Sequence, residues 1–182
     1  MCTLTYIPQS DNGFIVTSNR DETPFKPALH PSRKYVYPRW ITYPTDIAGG
    51  GSWIAATDDG TIAILLNGAF TAHKRTPPYG HSRGKIVLLN FGFKSLQALS
   101  EKYILDNIEP FTLVRIKPGK DIEELRWDGN TAHCTLLPLI NHVSGRRHRC
   151  TTSLCNKNAM HGLLHCSIKY TTPNRKICGI FT

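Results

Sequence analysis

Cys2-Thr3-Leu4-Thr5-Tyr6-Ile7 and Phe14-Ile15-Val16-Thr17, on either side of Asp11-Asn12-Gly13, decide how this chain folds. Apolar and β-branched residues run through both stretches, and an Asn-Gly pair suits a tight reversal. An antiparallel hairpin is predicted. The pattern recurs downstream. Trp53 to Thr57 and Thr61 to Leu66 flank Asp58-Asp59-Gly60. Phe111 to Lys117, Glu124 to Trp127 and Ala132 to Leu137 alternate as strands do, with turns at Pro118-Gly119 and Asp128-Gly129. Between these groups Ser82 is placed to cap a helix over Lys85 to Phe91, and Ser95 another over Leu96 to Tyr103. Residues 23–46 are rich in proline and aromatic side chains, which predicts a long ordered loop or lid. Hairpins, then helices, then further strands make an α+β layered fold, with the strand that starts at Cys2 central in its sheet.

A chain of 182 residues suits one domain with a real core, and 40% hydrophobic against 19% charged residues places it among globular proteins. No apolar stretch approaches the ~20 residues that span a bilayer. No basic flank with an apolar run opens the chain. A cytoplasmic protein with reduced thiols is expected. The net charge of +9 would suit nucleic acid or anionic membranes if it were spread over a surface. It is not. Residues 1–141 hold 15 Lys/Arg and all 13 Asp/Glu, whereas residues 142–182 hold 7 Lys/Arg and no acid. The excess belongs to the tail, and no nucleic-acid partner is expected.

Cys2 carries the most specific chemistry. Cysteine is small enough for Met1 to be removed, which would leave a thiol and a free α-amine on one residue. Their reference pKa values, ~8.5 and ~7.7–8.0, make proton transfer between them nearly balanced at neutral pH. The amine can accept the thiol proton and deliver it to a leaving nitrogen. A carboxylate from the neighbouring strand would hold that amine, and Asp21 directly follows the second strand. An N-terminal cysteine is more often incidental, so the weight comes from its company.

That company is Met1-Cys2-Thr3-Leu4, Gly13-Phe14 and Ser18-Asn19-Arg20-Asp21-Glu22, followed by Gly50-Gly51-Ser52-Trp53-Ile54-Ala55, Leu65-Leu66-Asn67-Gly68, Pro77-Pro78 with Ser82-Arg83-Gly84, and Glu109-Pro110-Phe111. In this order the chain resembles the NRDE family, the transport and Golgi organisation protein two family, whose name spells Asn-Arg-Asp-Glu. The resemblance implies an Ntn-hydrolase-like αββα sandwich, two antiparallel sheets between helical layers. The start is also similar to conjugated bile acid hydrolases and penicillin V acylases, which begin Met-Cys and place an Asp where Asp21 stands. They carry an Arg three residues before that Asp. Here that position is Ser18, and Arg20 stands beside Asp21, so Arg20 could steady the thiolate, pair with Glu22 or bind a substrate carboxylate. Asn67 ends a strand, as does an oxyanion-donating Asn in those relatives; a turn-forming Asn-Gly pair is an equal reading.

The catalytic set expected from resemblance and chemistry together is Cys2, Asp21, Arg20 and Asn67, with Asn19, His73 and Arg83 as substrate-binding residues. A small-molecule partner is expected, an amide, a lipid or haem, with no cofactor and no metal. The leading activity is a cysteine amidohydrolase. The alternatives are a non-enzymatic haem or lipid handling protein of secretory organisation, which needs no free α-amine, and an inactive truncated member. The Ala48 to Ser52 glycine run lacks the Lys and helix of a phosphate loop.

The tail after residue 141 needs its own account. Cys150, Cys155, His161 and His165 leave an inner gap too short for a zinc finger. Family members continue near here with Ile-Trp-Ser-Ser, two variable residues and Leu-Tyr, then Arg-x-x-Trp-Phe. Read two nucleotides later, the degenerate codons of His142 to Cys150 admit the first string and those of Lys157 to Leu163 the second. A frameshifted tail, irregular or packed unlike that of any relative, is therefore expected, with a domain of residues 1–141 ahead of it whose sandwich would be incomplete at its C-terminus. Resequencing the gene tests this: an open alternate frame encoding Trp-Ser-Ser supports it, and stop codons there refute it.

Overall fold

In the computed structural model, residues 3–9, 13–21, 26–138, 152–155, 163–171 and 176–181 are described, with side chains up to residue 138 except those of Arg20 and Asp21. Strands β1 (Thr3–Pro8) and β2 (Phe14–Asp21) form the predicted hairpin. Then come β3 (Ala28–Val36), β4 (Arg39–Asp46), β5 (Ile54–Thr57) and β6 (Ile62–Asn67). Helix α1 (Gly84–Leu89), a 3-10 turn (Asn90–Gly92) and helix α2 (Leu96–Lys102) follow. The chain returns through β7 (Phe111–Ile116), β8 (Ile122–Trp127) and β9 (Ala132–Leu137), and the tail supplies β10 (Thr152–Cys155), β11 (Leu163–Thr171) and β12 (Lys176–Phe181).

The strands make two antiparallel sheets. One is a seven-stranded meander in sequence order, β3 to β9; the other has the order β10-β1-β2-β11-β12. Alternation along the meander explains the layers. Ile54, Ala56, Ile62, Ile64, Leu66, Val114 and Ile116 face the other sheet and pack on Leu4, Phe14 and Val16. Ala55, Ala63, Leu65, Leu113 and Leu125 face the opposite way, under Ile86 and Val87 of α1 and Leu96 and Leu99 of α2. Strands β5 and β6 are thus apolar on both faces because both faces are covered. Each large aliphatic side chain so buried contributes about 1.5–3 kcal/mol. The α+β sandwich of antiparallel sheets is as predicted, and among the described residues the helices cover the outer face of the meander.

Three expectations are corrected. Residues 23–46 are not a lid: most of the segment is the β3–β4 hairpin. Its prolines sit where a ladder spares them. Pro31 and Pro44 fall at the register shift between Leu29 and Ser32, and Pro38 lies in the connecting turn of a strand that edges the sheet. The centre of the smaller sheet is β2, with β1 between it and β10. The tail is not irregular throughout, since its three strands complete that sheet.

The turn chemistry follows expectation. Gly60, Gly119 and Gly129 adopt φ of 81°, 66° and 102°. Asp59 Oδ1 accepts from Thr61 N at 3.0 Å, so the Asp58-Asp59 pair serves a turn. Ser95 Oγ accepts from Ala98 N at 3.0 Å and caps α2. Ser82 Oγ accepts from Gly84 N at 3.2 Å, one residue ahead of the α1 cap position at Arg83.

The approach of Gly51 to Gly84 fixes α1 against the β4–β5 connection. A Cβ on Gly51 would lie 2.3 Å from the Gly84 carbonyl carbon, and Ser52 N donates to Gly84 O at 3.1 Å. Gly51→Ala must push rigid backbone aside and is expected to cost about 1–3 kcal/mol. Gly50→Ala meets nothing within 4 Å and strains only its φ of +64°. Thermal melting of both should rank Gly51→Ala lower; equal melting points would overturn the contact argument.

Candidate functional site

A cavity of about 450 Å³ opens at the end of the sandwich where β1 begins. Three strand ends and the α1 start converge on it. Asn19 comes from the last turns of β2, where it pairs across from Thr3. Asn67 closes β6, immediately before Gly68 at φ 82°. Gly68 is pinned by its own N–H to Pro110 O at 3.0 Å and by Thr112 Oγ1 donating to its carbonyl at 2.9 Å. The strand end that carries Asn67 is therefore held from two sides.

One wall is an ionic hub around Glu109, which is 8% exposed. Its Oε1 meets His73 Nε2 at 3.2 Å and Arg75 Nε at 3.3 Å, and its Oε2 meets Arg83 Nη2 at 3.3 Å. Arg83 Nη1 also donates to Pro110 O at 3.1 Å. Arg75, Arg83 and Glu109 line the cavity. His73 is absent from the lining and braces Glu109.

The opposite wall is a turn organised by Asp46. Its Oδ1 accepts from Ala48 N at 3.0 Å and Gly49 N at 3.2 Å, while its Oδ2 faces Lys26 Nζ at 3.8 Å. The glycine run thus forms a turn, as its sequence implied. Ser52, whose Oγ donates to Ile54 O at 2.7 Å, and Trp53 floor the cavity. His81 Nδ1 lies 2.9 Å from Ser82 O and its Nε2 lies 2.9 Å from Tyr103 Oη. A carbonyl only accepts, so Nδ1 carries the proton, and in the neutral ring Nε2 accepts from the phenol.

Of the residues singled out in the sequence, Asn19, Asn67 and Arg83 meet at this cavity. Arg20 and Asp21 lie at the end of β2, where their backbones face Leu164 and Leu163 of β11. Their side chains, and Cys2 altogether, fall outside the described residues. Cys155 and His165 lie on β10 and β11, while Cys150 and His161 also fall outside. Among the described residues no group of three or more His, Cys, Asp or Glu could hold a metal ion. No helix among them is long and apolar enough to cross a membrane. Sequence reasoning missed Lys26, Asp46, Tyr79 and His81 as lining residues.

A family model described as Transport and Golgi organisation 2 matches residues 1–162. The chain belongs to that family. The Transport and Golgi organisation 2 match includes Cys2 and every motif quoted above, and it runs past residue 141 into the tail. No curated protein is significantly similar to this member of the family. Among solved structures it is similar to the mutant C2A conjugated bile acid hydrolase from Clostridium perfringens, at 10% identity and a TM-score of 0.50. The likeness covers 75% of this chain and 51% of the hydrolase, so the chain spans about half the length of that structure. At this identity it shows the fold alone, which is Ntn-hydrolase-like.

Proposed function

We propose that the protein is an N-terminal-nucleophile hydrolase acting on a C–N amide bond, with Cys2 as nucleophile. The observation that carries this reading is the position of the cavity. Cys2 is one peptide unit from Thr3, ~3.8 Å between Cα atoms, and Thr3 faces Asn19 of the cavity wall. The similar bile acid hydrolase is a C2A mutant, so a cysteine stands second in that chain too.

In the proposed reaction Met1 is first removed. The Cys2 thiol gives its proton to the α-amine, and Sγ bonds to the amide carbonyl carbon. Asn67 donates to the oxyanion from the rim. The C–N bond then breaks, and the leaving nitrogen takes the proton from the α-ammonium. Water, deprotonated by the same amine, attacks the thioester and releases the carboxylic acid. Asp21 holds the ammonium form, and Arg20 steadies the thiolate. Asn19 and Arg83 contact the substrate.

Lys26, Asp46, Arg75, Arg83 and Glu109 make the cavity ionic. A bare alkyl chain or a haem macrocycle gains little in such walls, so a small polar amide is favoured over the carrier reading. Intact mass after incubation with an amide panel tests the proposal. A chain lacking Met1, with one acyl group added and removable by hydroxylamine, is expected; retention of Met1 in an active chain would refute it. Asn67→Ala should lower kcat by about 10²–10³-fold with little change in KM. An unchanged kcat would return Asn67 to a turn-forming role.

A further inference from the structure

A second cleft, of about 380 Å³, lies at the other end of the meander. Thr57 and Thr61 of the β5–β6 turn and Lys117 and Lys120 of the β7–β8 turn line it. The five-residue rise of β6 from Ile62 to Asn67 puts it ~17 Å from the Asn67 cavity. No step of the Cys2 chemistry uses it.

Its charge is one-sided. Arg39, Lys94, Arg115, Lys117 and Lys120 line the cleft together with one acid, Asp59. Both guanidiniums are committed. Arg39 Nη1 holds Asp59 Oδ2 at 3.1 Å, and Arg115 is 1% exposed and holds Glu123 at 2.7 Å. Lys117 shares Glu123 at 3.2 Å and donates to Lys94 O at 3.0 Å, which leaves its third N–H. Lys94 and Lys120 are exposed and make no ion pair among the described residues. Two ammonium groups without an ion pair among the described residues, Lys94 and Lys120, therefore line the cleft beside Lys117, which shares Glu123 with Arg115.

The cleft is also pre-shaped. Arg115 donates to Phe93 O at 3.1 Å and Lys94 O at 2.9 Å, fixing the segment that carries Phe93 and Lys94. Phe93 packs partly on the helix-side core and gives the cleft an apolar wall. A site built in advance loses less affinity to ordering.

We propose that this cleft binds a small phosphate monoester with an apolar ring. A phosphate dianion matches surplus positive charge better than one carboxylate does. Ammonium groups bind its oxygens as point charges, without the planar register of a guanidinium fork. The ring rests on Phe93.

Phenyl phosphate, inorganic phosphate and phenol test this by titration calorimetry and amide NMR on the full chain. Phenyl phosphate is expected to bind tightest, with shifts concentrated at residues 91–94 and 117–120. Lys94→Ala with Lys120→Ala should weaken it about tenfold or more. Phe93→Ala should bring phenyl phosphate down to the affinity of inorganic phosphate. Lys74→Ala, which removes an exposed charge elsewhere, should leave affinity within about twofold. Wild-type affinity in the double lysine variant, phenol binding as well as its phosphate, or shifts centred on Asn67 and Arg83 would each overturn the proposal.

Discussion

Cys2→Ala is expected to lower amide hydrolysis by about 10⁴-fold or more, because it removes the thiol that would form the acyl intermediate of the proposed reaction. Cys2→Ser keeps a nucleophile with a far higher pKa, so it should be nearly as slow. The informative partner is a chain acetylated at the Cys2 nitrogen. An amide nitrogen cannot accept the thiol proton, so this form should lose activity to a similar extent while its thiol still labels with an alkylating probe. Full activity in the acetylated chain would make the α-amine dispensable and favour a binding protein in place of the hydrolase. A melting transition like that of the unmodified chain keeps the two losses distinct from misfolding.

Arg115→Ala is expected to be the most destabilising single change, by about 3–5 kcal/mol, read as the denaturant midpoint at constant slope. Arg115 is fully buried on the helix side of β7. It donates to the carbonyls of Asn90, Phe93 and Lys94 and makes a two-pronged pair with Glu123. Glu123 in turn accepts from Leu96 N at 2.6 Å, so this one pair ties the start of α2 to the sheet. Truncation takes a donor from three carbonyls and removes the two-pronged partner of a largely buried carboxylate. Arg115→Met combined with Glu123→Gln should recover part of the loss by removing both charges.

The same pair sets a pH dependence. Burial pushes the Glu123 carboxyl upward, but hydrogen bonds from Arg115 and Leu96 and the Arg115 charge outweigh it and leave it below the usual range. Its folded pKa is depressed. The stability it contributes is therefore present above the unfolded value, near 4.5, and is lost as pH falls through the folded one. Glu123→Gln should flatten the acid limb of stability against pH; an unchanged limb would assign it to other carboxylates.

Much of this architecture is legible in the residues. The Asp58-Asp59-Gly60 turn located the β5–β6 hairpin and alternation located β7–β9, and each Asp-Gly or Pro-Gly step fell at a turn with positive φ. Ser95 announced α2 because its side chain competes for a helix N–H that has no other partner. The β3–β4 hairpin was hidden because proline counts against strands on average, whereas only the ladder position decides. Arg115 was hidden differently. In Phe111-Thr112-Leu113-Val114-Arg115-Ile116 a charge sits in line with Phe111 and Leu113, which is a signal of a buried pair, but its partner Glu123 lies on the next strand. Likewise Glu109 reads as the start of a motif, and only the fold brings His73, Arg75 and Arg83 around it. The acid-free tail suggested foreign sequence, yet β-sheet pairing depends little on net charge, and Leu163–Thr171 carries enough β-branched and aromatic residues to pair with β2.

The two sheets differ in how far apart their partners stand in the chain. Every neighbour in the meander is the next strand along, and apart from β6 and β7, which the helical segment separates, each pair can zip from a local reversal. The other sheet pairs Thr3 with Cys155 and Phe14 with Tyr170, joining the two ends of the chain. Closing so long a loop costs entropy before any contact rewards it, and such pairings form late and open first. Native-state hydrogen exchange should then divide the molecule, with β5 to β7 protected up to global unfolding and β1, β2 and β11 released together at a lower free energy. The hairpin of β1 and β2, which carries Asn19 to the cavity, would then be fixed on an already finished scaffold only when the far end of the chain has docked.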